Sequence, residues 1–534
     1  MKKNDKFIGK CSGYNKEGMG IVKYDDIVFF VPGIIKDETA EILIVKMLKN
    51  YGYGKVLKLM ETSKHRQEPI CPVYKLCGGC HLQHMDRHEQ AAFKTQLVKD
   101  CFRSIANMEP HVNDVLDMDD PYRYRNKVQV PFALDKDGKV KAGFYRQHSN
   151  DIIEFTDCLV QTKLSNELIQ YIKKRLQDLG IGQYFRHVLI KHAHNTDQIM
   201  VVFIVRKYPF AKLTELAEEL HTNFKQIQSI IVNINDKETN VILGNHEEVL
   251  YGKAMIQEEL NGMYFNISSK SFYQINPAQT KHLYDLAIKY ANITKDDIVV
   301  DLYCGTGTIG LLAAPHAKKV FGIEIVAPAI EDAKINAQNN GIDNIEFINA
   351  DAKIGAKMLL DRQQHVDVVI VDPPRKGCDQ ATLEAINIFD PKRLVYVSCD
   401  PATLARDIKI LSSYGYQIET IQPVDMFPMT NHVETVVLLS QQKPDDTIEI
   451  DLDLDELDAT SAELKATYQE IKDYVLKEFG LKVSSLYISQ VKRKCGIEVG
   501  ENYNLPKTEN PKVPQCPKEK EEAIKAALKY FAMI

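Results

Sequence analysis

Between residues 277 and 398, strand-sized apolar runs alternate with helix-length segments, and this alternation constrains the fold more than any other feature. Pro277 begins a helical run. The predicted strands that follow are residues 298–302, 320–324, 345–348, 366–371 and 394–398. Strands joined by helices form βαβ units, which lie parallel in one sheet. The pattern predicts an α/β fold with a Rossmann-like, doubly wound sheet, whose ligands bind outside the carboxyl ends of the strands.

The first 60 residues predict a different, smaller element. Three short β-rich runs, at 27–31, 40–45 and 54–59, are separated by turns that contain glycine. They favour an OB-like, oligonucleotide-binding β-barrel, and an SH3-like barrel without an RNA role is the alternative. Met1–Met60 contains 11 lysines and 7 acidic residues, although the whole chain has a net charge of −6. A local basic face is therefore compatible with the composition.

Composition and patterning also bound the class of protein. No apolar run approaches the roughly 18 residues that a membrane span needs, and no hydrophobic stretch follows the basic start. We therefore expect a cytoplasmic protein with no membrane partner, acting as a monomer. We place a barrel at 1–62, a central α+β RNA-binding domain at 63–265, a catalytic domain at 266–444, and an acidic linker with a small helical domain at 445–534.

A glycine-rich turn follows the first strand of the predicted sheet. Gly305, Gly307 and Gly310 match the pattern G-x-G-x-x-G, in which glycines let a ligand approach the backbone at a helix start. Glu324 ends the next strand, where a carboxylate can accept hydrogen bonds from both ribose hydroxyls of an adenosine-containing ligand. NAD and S-adenosylmethionine suit this placement equally.

Two later strand ends distinguish these ligands. Asp372 is followed by Pro373 and Pro374, a rigid turn that can present the carboxylate to a flat base and that NAD enzymes do not need. Cys399 emerges from the next strand directly before a helix, whose dipole would favour the thiolate. Most strand cysteines belong to an inert core, but beside a cofactor site Cys399 is a candidate nucleophile.

Four separated motifs, in this order, resemble those of one enzyme family. They are Phe272–Pro277, Asp301–Gly307, Asp372–Gly377 and Ser398–Asp407. Together they resemble the TRAM-domain RNA uracil-5-methyltransferases, in particular the iron–sulfur-containing 23S rRNA branch, over about residues 5–442. The resemblance implies a methyltransferase domain that depends on S-adenosylmethionine and methylates carbon 5 of a uridine in 23S rRNA.

The chemistry of that family needs a nucleophile and a base. Carbon 5 of uracil reacts with a methyl donor only after a thiolate has added to carbon 6, which assigns Cys399 as the nucleophile. A base must then remove the hydrogen on carbon 5. The resemblance implies Glu434 for this role, whereas the residues alone would indicate a strand-edge charge.

The same resemblance implies the cofactor contacts. They are Gln274, Tyr303, Glu324 and Asp372, with Gly305 and Gly307 in the turn. Asp372 could instead hold the uracil.

A cysteine-rich stretch lies between the barrel and the central domain. Cys71, Cys77 and Cys80 have the spacing C-x5-C-x2-C, and Cys158 is a fourth candidate. Four thiolates suit zinc or an iron–sulfur cluster, and spacing alone does not choose between them. Competing ligands are His81, His84 and His88. Cluster-bearing members of the family share this spacing, so the resemblance implies a 4Fe-4S cluster held by the four cysteines, which would brace the RNA-binding region.

Basic and aromatic residues are interleaved farther along the chain. The basic ones are Arg123, Arg125, Lys127 and Arg146, and the aromatic ones are Tyr122, Tyr124, Phe144 and Tyr145. Such residues grip phosphates and stack on unpaired bases, although amphipathic strands produce the same pattern. A base must leave any helical stack to reach Cys399, so the expected partner is a looped or remodelled segment of 23S rRNA.

The last 90 residues are an addition to the core enzyme. Asp445–Asp458 contains eight acidic residues and no basic one, which is typical of a solvated linker. Helices are predicted over 462–479 and 484–494. We assign this segment no role.

Three rival interpretations remain. The same chemistry could act on transfer RNA. A non-catalytic RNA-binding iron–sulfur protein is disfavoured by the intact Cys399, Glu434 and glycine turn. An NAD-dependent oxidoreductase would leave the Asp372 turn and Cys399 unexplained.

Overall fold

The computed structural model describes residues 1–147, 149–441, 468–495, 497, 516–531 and 533. The chain divides into two compact units, Met1–Asp445 and Asp446–Ile534. None of the helices in the described ranges is long and apolar enough to cross a lipid bilayer.

The amino-terminal part is a closed five-stranded barrel in the order β1-β2-β3-β5-β4. Its strands are β1 (Lys6–Tyr14), β2 (Gly20–Tyr24), β3 (Ile27–Val31), β4 (Thr39–Met47) and β5 (Tyr51–Glu61). Alternate residues point inward, as the two-residue period of a strand requires. Phe7, Val22, Phe29 and Ile42 form part of the buried core. The sequence predicted this barrel from three of its strands.

Helix α1 (Arg87–Cys101) follows the cysteine-rich stretch and continues as a π-helical turn over Phe102–Ala106. It begins at Asp86, whose side chain accepts a hydrogen bond from the Glu89 amide. Val98 and Phe102 pack into the core of the carboxyl-terminal sheet described below.

The central region is a seven-stranded sheet in the order β12-β11-β10-β9-β6-β7-β8. The strands are β6 (Lys127–Leu134), β7 (Val140–Tyr145), β8 (Ile152–Glu154), β9 (Phe185–Ala193), β10 (Gln198–Val205), β11 (Ile227–Ile234) and β12 (His246–Gly252). Helices α2 (Lys163–Leu179) and α3 (Ala211–Asn223) pack on it, and a 3-10 turn spans Gly182–Tyr184. A separate hairpin follows, formed by β13 (Ile256–Leu260) and β14 (Met263–Ile267).

A second seven-stranded sheet contains the predicted βαβ units, in the order β17-β16-β15-β18-β19-β21-β20. Its strands are β15 (Ile298–Leu302), β16 (Lys319–Glu324), β17 (Ile345–Asn349), β18 (Val368–Val371), β19 (Arg393–Ser398), β20 (Tyr416–Val424) and β21 (Glu434–Gln441). The first five are parallel, and β21 is antiparallel to both β19 and β20. The strand order reverses between β15 and β18, which is where such sheets bind ligands.

Helices cover both faces of this sheet. They are α4 (Pro277–Ala291), α5 (Thr308–Ala313), α6 (Ala327–Asn339), α7 (Ala352–Asp361), α8 (Gln380–Phe389) and α9 (Pro401–Ser413), with a 3-10 turn over Ala314–His316. Helices α4, α5 and α6 contribute to the core on one face. Helices α7, α8, α9 and α1 contribute to the core on the other. The predicted two-faced arrangement is present.

The second unit contains α10 (Tyr468–Phe479), α11 (Ser485–Lys494) and α12 (Lys518–Tyr530), whose apolar side chains form one small core. Helices α10 and α11 correspond to the two predicted helices, and α12 was not predicted. The acidic stretch Asp445–Asp458 lies outside the described residues.

Candidate active site at the carboxyl edge of the parallel sheet

The register of the parallel strands gathers three predicted site residues at one edge. Leu302 pairs with Ile323 on one side and with Val371 on the other. The next residues along the three strands are Tyr303, Glu324 and Asp372, which therefore lie side by side at the carboxyl ends. The Asp372 amide donates to the Leu302 carbonyl at 3.4 Å.

Antiparallel pairing brings Cys399 and Glu434 to the same edge. Ser398 pairs with Thr435, so the residue after β19 lies beside the first residue of β21. The Cys399 side chain is half-buried, and Glu434 is only 3% exposed. No sequence spacing relates these two residues, and the sheet register alone sets their proximity.

The glycine turn has the backbone geometry that its sequence predicts. Gly305 and Gly307 have φ angles of +54° and +82°, in the left-handed region that glycine tolerates best. A Cβ on Gly307 would lie 3.0 Å from Phe347, whereas one on Gly305 would meet nothing within 4 Å. The Gly305 position is therefore open, and a ligand can approach its backbone.

Carboxylates on both sides hold this turn. Asp301 is buried and accepts a hydrogen bond from the Gly310 amide at 2.8 Å. Glu324 accepts from the Gly305 amide at 3.2 Å and from the Val326 amide at 2.9 Å. The Glu324 carboxylate thus lies against the turn, where the ribose contact was predicted.

Gln274 reaches the site from the loop before α4. It is buried, and its main-chain carbonyl accepts a hydrogen bond from Asn126 Nδ2 at 3.0 Å. Beside it lies Tyr284 of α4, whose pKa is raised by burial and then by the nearby Asp372 carboxyl. Sequence analysis missed Tyr284; its position two turns after Pro277 on the inward face of a helix was the available signal.

Burial dominates the electrostatics of the site. It raises the pKa of Asp372 to about 7 and that of Glu434 to about 8, the latter with a further contribution from Asp372. Both carboxyls therefore titrate near neutral pH. Such displaced carboxyl pKa values are typical of functional sites.

The thiol of Cys399 differs from the sequence expectation. Its pKa is raised to about 12 by burial and then by Glu434 and Asp372, and only Arg375 lowers it. The helix that follows does not favour the thiolate, because its first amides donate to the Asp400 side chain, itself an acceptor at the cap. Burial and the neighbouring carboxyls therefore outweigh the helix-dipole effect that the sequence suggested.

The turn that follows Asp372 is fixed by residues of α9. Arg406 donates to the carbonyls of Lys376 and Cys378, at 2.9 and 3.0 Å. Asp407 accepts from the Cys378 amide at 2.8 Å and from the Tyr396 hydroxyl at 2.7 Å. The motif residues of α9 thus hold the Asp372 turn beside the site.

Comparison with known proteins identifies the family to which this chain belongs. Residues 86–442 match the family model described as tRNA (uracil-5-)-methyltransferase. The chain belongs to this family. It is therefore a methyltransferase of the class that acts on RNA uracil.

Relatives and a solved structure agree with this assignment. An uncharacterised RNA methyltransferase of Clostridium acetobutylicum is 44% identical over 83% of this chain and 98% of its own length. One from Oceanobacillus iheyensis is 43% identical over 82% of this chain and 97% of its own length. The crystal structure of Pyrococcus abyssi tRNA (uracil-54, C5)-methyltransferase, in complex with S-adenosyl-L-homocysteine, is 26% identical, with a TM-score of 0.62. It covers 81% of this chain and 100% of the Pyrococcus chain.

A second group of predicted ligands lies in the cysteine-rich region. Cys71, Cys77, Cys80 and Cys158 are all free thiols and line one cavity of about 70 Å³. Within the described ranges, however, no three His, Cys, Asp or Glu side chains lie close enough together to hold a metal ion. The four-cysteine metal site therefore stays a prediction. The competing His81, His84 and His88 are not among the residues that line this cavity.

Four of the eight interleaved basic and aromatic residues make internal contacts, and RNA binding by this group stays a prediction. Arg123 pairs with Asp157 at 2.5 Å, and Arg125 lines the cysteine cavity. Tyr124 is buried, and Phe144 stacks on Phe155 with ring centroids 4.9 Å apart. Residues 122–125 lie before β6 and make tertiary contacts there, whereas Phe144 and Tyr145 belong to β7.

Proposed function

We propose that this enzyme uses S-adenosylmethionine to methylate carbon 5 of a specific uridine in 23S rRNA, through a covalent adduct between Cys399 and the uracil. The observation that supports this proposal most strongly is the register that brings Cys399, Glu434 and Asp372 to one edge of the sheet. A nucleophile and a buried carboxyl, side by side next to a glycine turn, are what this reaction requires.

Cys399 acts first. Its thiol loses its proton to water, and the sulfur bonds to carbon 6 of the uracil while the electron pair of the C5–C6 double bond moves toward carbon 5 and the O4 carbonyl. Because burial raises the pKa of this thiol to about 12, a neighbouring cation assists its ionisation. Arg375 is the cation that lowers the pKa of Cys399, and it lies 3.4 Å from His432.

Glu434 completes the reaction. When bound, S-adenosylmethionine supplies a methyl group from its positively charged sulfonium, and carbon 5 takes it up. Carbon 5 then bears both hydrogen and methyl, and the Glu434 carboxylate removes the hydrogen as a proton. The electron pair re-forms the C5–C6 double bond, and Cys399 leaves as a thiolate, which takes up a proton from water to regenerate the thiol. The overall change replaces one C–H bond by a C–CH3 bond and releases one proton.

The residues around the glycine turn suit the cofactor. Glu324 is positioned to bind the ribose, and Gly305 leaves room for close approach to the backbone. Tyr303 and Gln274 line the same edge, with the Tyr303 hydroxyl 3.1 Å from Thr382 Oγ1. Asp372 and Glu434, both buried carboxyls, would stabilise a cationic sulfonium near them.

The four cysteines fit a 4Fe-4S cluster in their chemistry. They supply four unpaired thiols around one cavity, and the guanidinium of Arg125 lines the same cavity. Four thiolates leave either a zinc ion or such a cluster with net negative charge, which an adjacent arginine would offset. Cys71, Cys77, Cys80 and Cys158 would hold the group, and no step of the methylation passes through it.

The barrel offers an RNA-binding face. The rings of Phe30, Tyr51 and Tyr53 lie 5.5 to 6.0 Å from one another on its outer surface. Lys46 pairs with Tyr53 across β4 and β5, and Lys23 pairs with Val28 beside this group. Aromatic rings among lysines favour single-stranded nucleic acid by stacking and by attraction of phosphates.

A second candidate function is the same reaction on transfer RNA. It is favoured by the solved Pyrococcus abyssi structure, whose protein is a tRNA (uracil-54, C5)-methyltransferase. The order of the four motifs and the cysteine spacing favour the ribosomal substrate.

Mapping 5-methyluridine in rRNA and tRNA from cells with and without the gene tests both candidates. We expect one or more rRNA positions to lose the modification. Loss of a tRNA modification with rRNA unchanged would establish the second candidate. If no 5-methyluridine disappeared from either RNA, the proposed function would be wrong.

A further inference from the structure

The loop between β20 and β21, which leads into Glu434, is held from outside by three consecutive carbonyl contacts. The Phe427 carbonyl accepts a hydrogen bond from Lys94 Nζ at 3.0 Å, and the Pro428 carbonyl accepts one from the Tyr124 hydroxyl at 3.1 Å. The Met429 carbonyl accepts from the amides of His81 and Leu82, at 2.9 and 3.0 Å.

Met429 has an unfavourable backbone conformation that these contacts maintain. Its φ angle is +68°, in the left-handed region that side chains other than glycine rarely adopt. Its amide donates to Gln90 Oε1 at 3.0 Å, and Gln90 Nε2 lies 3.4 Å from its sulfur. Strained backbone persists only where the surroundings hold it, and such strain is concentrated at functional sites.

The same loop is packed against the cysteine cavity. Met429 is buried in a small cluster with Tyr124 and Val160, and Cys80 and Cys158 pack against that cluster. His81, which donates to the Met429 carbonyl, is the residue directly after Cys80. The backbone of the cysteine stretch therefore contacts the loop without any intermediary.

Lys94 adds an ion pair whose burial carries a desolvation penalty. Its side chain is fully buried and forms an ion pair with Asp425 at the start of the loop. Burying a lysine requires a partner for its charge. The two groups are 331 positions apart in the sequence, so this pair joins α1 to the loop only in the folded chain.

We propose that His81, Leu82, Gln90, Lys94 and Tyr124, here called the loop clamp, are positioning residues that hold Glu434 in place for removal of the proton from carbon 5. The inference rests on the proposed function and assigns the cysteine stretch a role in catalysis beyond bracing the fold. None of the five residues touches the reacting atoms. Their effect reaches Glu434 through the loop, since Glu434 lies five residues after Met429.

The loop clamp predicts a defect confined to one step. Methyl transfer needs Cys399 and the cofactor, whereas release of the hydrogen on carbon 5 also needs a correctly placed Glu434. A displacement of the base by about 1 Å can slow its step by up to about 100-fold. A loosened loop should therefore leave methylated RNA covalently attached to the enzyme.

The test uses the combined variant Tyr124→Phe/Gln90→Leu of the full chain, which removes a hydroxyl and an amide from the loop clamp but keeps the Lys94–Asp425 pair. Single-turnover reactions contain RNA tritiated at carbon 5 of uridine and methyl-labelled S-adenosylmethionine. In the wild type, tritium release follows methyl transfer. In the variant we expect tritium release to lag methyl transfer by about tenfold or more, with an adduct that survives denaturing electrophoresis.

Control variants separate positioning from stability. Tyr251→Phe removes a tyrosine hydroxyl that contacts His221 at 2.7 Å in the central region, away from the loop, and should keep the two rates together. Hydrogen exchange of the 427–434 peptide should be faster in the combined variant than in the wild type or in Tyr251→Phe. If the combined variant does not fold, Tyr124→Phe alone tests the inference. In that variant we expect tritium release to lag methyl transfer by about threefold.

A third variant tests the link to the cysteine cavity. Cys80→Ser should reduce the bound iron or zinc, measured by mass spectrometry, accelerate exchange in the 427–434 peptide and produce the same lag. Normal exchange and a normal tritium rate in a metal-depleted Cys80→Ser enzyme would overturn the link.

The outcomes distinguish this inference from the proposed function. If the wild type methylates no RNA, the proposed function is wrong. If Glu434→Gln accumulates no adduct, Glu434 is not the base. If both behave as expected but the loop-clamp variants slow the two rates equally, or not at all, the inference alone is overturned.

Discussion

Two regions of this molecule bury cysteine thiols, but they surround them with opposite charges. At the carboxyl edge of the sheet, Cys399 faces the carboxyls of Glu434 and Asp372, with Arg375 as the opposing cation. At the cysteine cavity, Arg125 lowers the pKa values of Cys77, Cys80 and Cys158, while burial and the other thiols raise them. Burial is the largest effect in both regions.

The difference indicates what each region accommodates. Buried carboxyls without a bound partner are destabilised as anions, and a cationic ligand relieves this cost. A cavity of thiols beside an arginine instead suits a group whose charge becomes negative once the thiols have ionised. The proposed methyl-donor site at the sheet edge would thus favour a cation, and the cysteine cavity would favour an anionic group.

The largest expected effect is the loss of methylation when the Cys399 thiol is removed, compared with the removal of an inert thiol. Replacing Cys399 by alanine should lower the single-turnover methylation rate by about 10⁴-fold or more, because no adduct can form. The affinity for S-adenosylmethionine, measured by calorimetry, should stay within about twofold. Cys101→Ala, which removes another half-buried free thiol, is the matched control and should keep full activity. Turnover by the Cys399→Ala enzyme would mean that another residue is the nucleophile.

Glu434→Gln should have the next largest effect, a loss of about 10² to 10⁴ in turnover. The amide keeps the shape of the carboxyl but cannot accept the proton, so methylated RNA should remain bonded to Cys399. A band of protein–RNA adduct on denaturing gels measures this directly. Rapid turnover without adduct would transfer the role of base to another group, of which Asp372 is the nearest buried carboxyl.

Cys158→Ser tests whether the cysteine cavity holds a metal centre that is independent of the cofactor site. It removes one of four thiols, so the purified protein should lose most of its bound iron, and its melting temperature should fall by about 5 °C. The affinity for S-adenosylmethionine should not change, because the cofactor site lies at the sheet edge. If elemental analysis of the wild type found stoichiometric zinc and no iron, the site would be a zinc site and not an iron–sulfur cluster. If it found neither metal, the proposed metal centre would be wrong.

The smallest effect is a dependence of cofactor affinity on pH. The pKa values of Asp372 and Glu434 are raised to about 7 and about 8, so both carboxyls are largely protonated at pH 6 and ionised at pH 9. A cation binds the ionised form better, so affinity for S-adenosylmethionine should rise about tenfold between these pH values. The uncharged product S-adenosylhomocysteine should change by about twofold or less. Equal pH dependence of the two ligands would show that these carboxyls do not face the sulfonium.

Much of the catalytic fold could be predicted from sequence. The strands at 298–302, 320–324 and 394–398 were placed to within one residue, because buried parallel strands are continuous apolar runs between helices. Gly305 and Gly307 were recognised from the G-x-G-x-x-G pattern, and both have positive φ angles in the structure. The periodic spacing of apolar residues predicted the helix Pro277–Ala291. Its buried Tyr284 was not identified as part of the site.

Other features depended on contacts between distant segments. The pKa of Cys399 is raised by burial and then by Glu434 and Asp372, effects that local helix-dipole reasoning does not include. Tyr124 and Arg125 resembled RNA-binding residues, but tertiary packing directs them to the loop before Glu434 and to the cysteine cavity. The long-range pair between Lys94 and Asp425 has no local pattern at all.

The sequence by itself determined the sheet with its glycine turn, and the types of residue available for chemistry, because local periodicity and backbone conformation depend on neighbouring residues. Only the tertiary structure decided which of those residues meet and which charges surround them. Strand register sets Cys399 beside Glu434, and burial then raises the pKa values of both groups. Proximity and desolvation arise from the folded chain as a whole, so no short stretch of sequence contains them.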